Sequence, residues 1–231
     1  VKVPCVHRNA PLMSQQDDIQ EYQSVVVATH TMPRSHWVNA RQLAWMTDFL
    51  YFSHKLLQVP FILLHELEGC KYRTLMELFA QVPTLQYPTL AKIAEFFKQK
   101  ALLIQAGSVE YCEGSSVQSP LWLSVDDFVF RQLCLTHQLM LFYREAERRL
   151  QAFLQLQKSS FDVQLLAESI LCSQVLLKLS THTENVSVSF SWNIVDFYQG
   201  VITGQTIPLL KEPSHYCKDW TGSPYTLRKR I

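Results

Sequence analysis

The chain has 231 residues, 21 basic against 20 acidic side chains and a net charge of +1, which excludes a strongly basic nucleic-acid binder or an acidic tail acting through long-range attraction. Hydrophobic residues make up 48%, aromatic residues 12% and charged residues 18%, the profile of a globular chain with a substantial core rather than a disordered one. Cys5, Cys70, Cys112, Cys134, Cys172 and Cys217 are scattered and no signal-like segment precedes them, so reduced thiols and a cytoplasmic location are expected. No apolar run reaches the roughly 18 residues of a membrane span.

In chain order, Val1–Val6 is predicted as a strand, Asn9-Ala10-Pro11 as a turn and Ser24–Thr31 as a second strand. Val25, Val26 and Val27 form the continuous apolar run of a strand buried on both faces, as in a parallel sheet. Pro33 closes it, Ser35 can cap a helix over Ser35–Gln58, and Pro60 is expected to end that helix. Helices are predicted over Lys71–Gln81, over Thr89–Ala106 with Gly107 as its C′ residue, over Ser124–Gln157 and over Ser160–Ser180. Ser124 and Asp127 approximate a capping box, and Phe128, Leu135, Leu139, Phe142, Ala146, Leu150 and Phe153 share one stripe of the long helix over Ser124–Gln157. The segment 107–120 reads as a loop, Val186–Phe190 as a short strand, and the remainder as an irregular tail.

The stretch Glu21–Phe52, with Ala28, Thr29, Thr31, Met32, Arg34 and Trp37 in the pattern A-T-x-T-M-x-R-x-x-W, resembles the region that follows the catalytic barrel in cobalamin-dependent radical S-adenosylmethionine enzymes. The tail Trp220–Ile231 is weakly similar to the end of the same family. The resemblance implies a mainly α domain carrying one or two strands of a parallel α/β barrel that lies elsewhere in the parent chain. It divides the sequence into a barrel-strand segment at 1–33, a helical domain at 34–184 and a short strand with an irregular tail at 185–231.

It also implies that the parent enzyme uses a four-iron cluster, S-adenosylmethionine and cobalamin, and transfers a methyl group to an unactivated carbon of a small-molecule substrate. The family holds its cluster with C-x-x-x-C-x-x-C, because three close thiolates leave the fourth iron open to S-adenosylmethionine. No two cysteines here are near enough in sequence to form that motif. The chain is therefore expected to be the C-terminal portion of a larger enzyme, to bind none of these cofactors and no metal, to be catalytically silent alone, and to have the missing barrel and cobalamin domain as its partners. The alternative is an independent helical binding or scaffold protein whose strands pair among themselves.

Substrate-binding residues are expected in the turn after the strand, at Thr29, Thr31, Arg34 and Trp37, and on one side of the first helix, at Arg41 and Asp48. Loops after barrel strands carry chemistry, and the planar fork of Arg34 suits a carboxylate or phosphate. Arg41 and Asp48, seven positions apart, place opposite charges on one face of a largely apolar helix. The eight histidines show no H-x-x-x-H pair, and P-loop, G-x-G-x-x-G and G-x-S-x-G motifs are absent.

Overall fold

The computed structural model describes residues 1–6, 20–115, 120–177 and 185–218. The predicted turn at Asn9-Ala10-Pro11, the end of the helix predicted to Ser180 and the tail Trp220–Ile231 lie outside the described residues. Elements follow in chain order as β1 (Lys2–Pro4), β2 (Tyr22–Ser24), α1 (Arg34–Thr47), a single π-helical turn (Asp48–Phe52), α2 (Gln58–Glu68), α3 (Tyr72–Ala80) and α4 (Pro88–Gln105). They continue as β3 (Cys112–Ser115), β4 (Pro120–Leu123), α5 (Val125–Leu135), α6 (Leu139–Leu156), α7 (Val163–Leu176), β5 (Val186–Phe190), α8 (Ile194–Thr203) and β6 (Ser214–Lys218). The protein is mainly α, as its sequence predicts. Among the described residues the strands form only two-stranded antiparallel sheets, β1–β2, β3–β4 and β5–β6. No described helix is long and apolar enough to cross a membrane.

Two compact units are present, one comprising Val1–His54 with Tyr72–Arg149 and the other Lys55–Lys71 with Leu150–Ile231. In the first, the expected parallel strand over Ser24–Thr31 is corrected. The ladder runs antiparallel, pairing Lys2 with Ser24 and Pro4 with Tyr22, and extends only as far as the Val25 amide on the Val1 carbonyl (2.7 Å). The cause is local. Thr29 and Met32 exchange backbone hydrogen bonds (3.0 and 3.3 Å) and the Met32 amide also donates to Thr29 Oγ1 (3.0 Å), so the segment folds into a tight turn instead of extending. Val26 is left 67% exposed while Val27 is buried, so the valine run is not a strand covered on both faces.

The core of this unit is aromatic. Phe49 meets Phe97 and Phe142 edge-on, with ring centroids 5.9 and 5.8 Å apart, and Trp45 packs on Phe97 at 6.1 Å. Buried polar groups brace the helices around it. Gln42 on α1 donates to the Ala80 and Ala94 carbonyls (3.1 and 2.9 Å), tying α1 to the end of α3 and to α4. The two carboxylate oxygens of Glu145, on α6, accept from the Thr89 and Leu90 amides (3.2 and 3.0 Å) and so satisfy the open N-terminus of α4.

Two predicted helices are each broken. The helix expected over Ser35–Gln58 stops at Thr47, passes through the π turn and a bend with Lys55 at φ 55°, and Pro60 falls in the first turn of α2, where its missing N–H costs nothing. The helix expected over Ser124–Gln157 divides at His137, which adopts φ 55° while the Gln138 amide donates to the Leu133 carbonyl (2.9 Å), a left-handed C-terminal closure. The apolar stripe resumes in phase beyond this break, so periodicity alone does not reveal it. The segment expected as a loop at 107–120 contains β3 and runs into β4.

In the second unit, α2 is buried along Gln58–Leu64, and the Tyr198 hydroxyl of α8 donates to Gln58 Oε1 (2.6 Å) inside it. The tail expected to be irregular instead supplies α8, closed by Gly204 at φ 73°, and β6, which pairs with β5 from Phe190–Ser214 to Val186–Lys218.

Glu145→Ala leaves two buried amides without acceptors, and is expected to lower the unfolding free energy by about 2–3 kcal/mol. Urea unfolding should show an earlier midpoint with an unchanged slope; an unmoved midpoint would mean the α4 N-terminus does not depend on this carboxylate.

Candidate functional site

Helix α1 carries the first half of the site. Arg41 and Asp48 stand two turns apart on one face, and the Arg41 guanidinium lies over the Trp45 ring at 4.8 Å. Arg41 pairs with Glu110, and both side chains are about one-third exposed, at 34% and 31%. Asp48 opens the π turn, its carbonyl accepting from the Ser53 amide at 2.8 Å. π turns insert an extra residue into a helix and are frequent at functional sites. This one ends just before His54.

The second half converges on His54. Its ring stacks on Phe130 (4.3 Å, 25°) and meets Phe49 edge-on at 6.0 Å, so aromatic packing fixes its orientation. Nε2 lies 3.4 Å from Asp126 Oδ2 and 3.4 Å from Asp127 Oδ1. The two aspartates occupy the first turn of α5, where the helix dipole favours carboxylates. Nε2 is enclosed and makes no hydrogen bond of good geometry.

Arg41, Asp48, His54 and Asp126 act on one another electrostatically. Burial lowers the Arg41 pKa, with Asp48 opposing. Burial and the Asp126 charge raise the Asp48 carboxyl above its ordinary value, with Arg41 and His54 opposing. Burial acts to lower the His54 pKa, but Asp126 and Asp127 together outweigh it and raise the value above 6.5. Burial likewise opposes ionisation of Asp126, and His54 overcomes it, leaving that carboxyl lowered.

The residues expected from the sequence divide accordingly. Arg41 and Asp48 belong to the cluster. Thr29 and Thr31 place their hydroxyls 3.3 Å apart in the turn that ends the first segment. Arg34 donates from Nη2 to the Gln105 carbonyl (2.9 Å), and Gln105 Nε2 donates back to the Arg34 carbonyl (2.7 Å), closing the C-terminal end of α4. Trp37 is half-buried in the first turn of α1. Arg34 and Asp48 are fourteen residues apart, about 20 Å along a helix axis, so the turn and the cluster are separate places. His54, Asp126, Asp127 and Glu110 were not reached by sequence reasoning. The adjacent aspartates at a helix start were the one available signal.

Among the described residues, His54, Asp126 and Asp127 form the single grouping of three or more metal-ligating side chains, and no cysteine belongs to it. The cysteines therefore do not fit a three-thiolate cluster site, and no step of cluster chemistry is assigned to them. His65 Nδ1 shares a hydrogen bond with the Cys70 carbonyl (2.9 Å), and His215 contacts the Ser187 and Ser189 hydroxyls. No protein-family model and no curated protein matches the chain.

Two outcomes are expected. Asp48 binds its proton more tightly folded than unfolded, so ionised Asp48 opposes folding at neutral pH and ceases to do so as the pH falls below 3.8. Asp48→Asn should therefore raise the urea midpoint at pH 7, and its advantage should shrink in acid. Arg34→Ala should lower the melting temperature through the loss of a charge-assisted bond, by the equivalent of about 1–2 kcal/mol; an unchanged melting temperature would free Arg34 for a role in binding.

Proposed function

We propose that the chain is the substrate-enclosing C-terminal helical domain of a cobalamin-dependent radical S-adenosylmethionine enzyme, working in the cytoplasm and inactive without the barrel and cobalamin domain of its parent. In the parent, cluster, S-adenosylmethionine and cobalamin would supply radical generation and methyl transfer to an unactivated carbon of a small molecule. The residues of this chain would bind and orient that substrate and keep water from it.

The observation that carries the reading is the half-buried charged strip of α1. Arg41 and Asp48 are half-buried on one side of α1 and the turn that follows it, beside further acidic groups, and Asp48 is held where ionisation works against stability. Proteins retain such groups chiefly where they act on something. The pattern from Ala28 to Trp37 leads directly into that helix. A second reading, an independent helical binding protein, is favoured by one observation: β2 pairs antiparallel with β1 from the same chain.

The coding sequence immediately upstream of Val1 separates the two. An in-frame C-x-x-x-C-x-x-C preceded by a cobalamin domain is expected, and a start codon with no such frame would leave the binding-protein reading in possession. In the parent enzyme, Arg41→Ala should reduce kcat/KM at least about tenfold, roughly 1.4 kcal/mol of transition-state binding. Wild-type kcat/KM in that variant would remove the α1 strip from the substrate site.

A further inference from the structure

We propose that His54, Asp126 and Asp127 bind one divalent transition-metal ion of the zinc class, with the fourth position left to water or a ligand. Such a site would be present whatever enzyme the chain belongs to. One ligand atom from each of the three side chains falls within 4.8 Å of the others. The two distances from His54 Nε2 to the carboxylate oxygens, 3.4 Å each, match two edges of a tetrahedron whose metal–ligand bonds are about 2.1 Å, and rotation of the more open Asp127 carboxylate would close the third.

The alternative is an imidazolium held between two carboxylates, which favour its charged form, but its contacts are long. Charge-assisted N–H···O bonds close to about 2.7–2.9 Å. Here Nε2 stays 3.4 Å from both oxygens, enclosed and with no hydrogen-bond partner, as though the three atoms surround something rather than touch one another.

The side chains are rigid and little exposed, at 11% for His54, 8% for Asp126 and 20% for Asp127. Stacking on Phe130 and the α5 backbone hold them, so little conformational entropy remains to be lost on binding. A neutral imidazole with two carboxylates carries two negative charges, which a divalent ion cancels. Nitrogen with only two carboxylates suits zinc, cobalt or manganese better than magnesium or calcium, which demand more oxygen ligands. Asp127, the most open of the three, marks the side from which an ion enters.

The test uses the whole chain, stripped with chelator under reducing conditions and titrated with Co2+ and then Zn2+. One equivalent of Co2+ should produce the visible spectrum of a four-coordinate site without a thiolate charge-transfer band, and Zn2+ should displace it where excess Mg2+ does not. His54→Gln and Asp127→Asn should each weaken binding at least about a hundredfold, and Zn2+ should raise the melting temperature of the wild type but not of Asp127→Asn. Should His54→Gln fail to fold, Asp127→Asn decides the matter, because its side chain is the least buried of the three. Absence of saturable binding, a thiolate band, or wild-type affinity in Asp127→Asn would each overturn the site.

Discussion

The first unit depends on the change of helical pitch at Asp48–Phe52. Without the π turn, the stripe of α1 would continue at regular α spacing into the following segment. With it, Phe49 enters the core with no exposed surface and forms the centre of the cluster with Phe97 and Phe142, while the chain turns so that His54 stacks on Phe130 beside the start of α5. Aromatic side chains bury large areas and hold defined ring geometries, so a misplaced Phe49 would open a cavity against both α4 and α6. Packing and the polar cluster are thus two consequences of one local departure from α geometry.

Several buried polar side chains elsewhere in this unit are answered by backbone groups. Gln42 bridges two helices, Glu145 closes a helix N-terminus, and Gln105 with Arg34 closes a helix C-terminus. Each uses its hydrogen-bonding capacity on backbone groups that would otherwise be stranded. Arg41 Nε and His54 Nε2, by contrast, are enclosed without hydrogen-bond partners. Ser124 Oγ and Tyr143 Oη are likewise enclosed without partners, so what sets the Arg41 and His54 region apart is the number of ionisable groups gathered there.

The legible parts of the fold are those with punctuation in the chain. Tyr72–Ala80 and Pro88–Gln105 agree closely with the predicted helices because Pro88 fits a first turn and Gly107, at φ 99°, fits the end. The misread parts have signals of the wrong kind. The hairpin at β3–β4 is rich in serine and glycine, yet Gly114 is needed because a Cβ there would run into the Leu123 side chain. The break at His137 rests on a left-handed residue that carries no glycine, and the strand at Val25–Val27 is pre-empted by a threonine turn whose hydroxyl outcompetes extension.

Of the candidate site, the sequence by itself determined Arg41 and Asp48, because seven residues make two turns of a helix and fix a shared face before any tertiary contact forms. It also determined the helical class, through apolar spacing and the glycines that follow helix ends. Only the tertiary structure decided that His54 meets Asp126 and Asp127. Those residues lie on different elements far apart in sequence, and their approach depends on the π turn and on aromatic packing, neither of which has a local sequence period. It was tertiary contact, too, that turned Arg34 toward the Gln105 carbonyl, since an arginine fork takes whichever acceptor the fold delivers and the sequence does not name it.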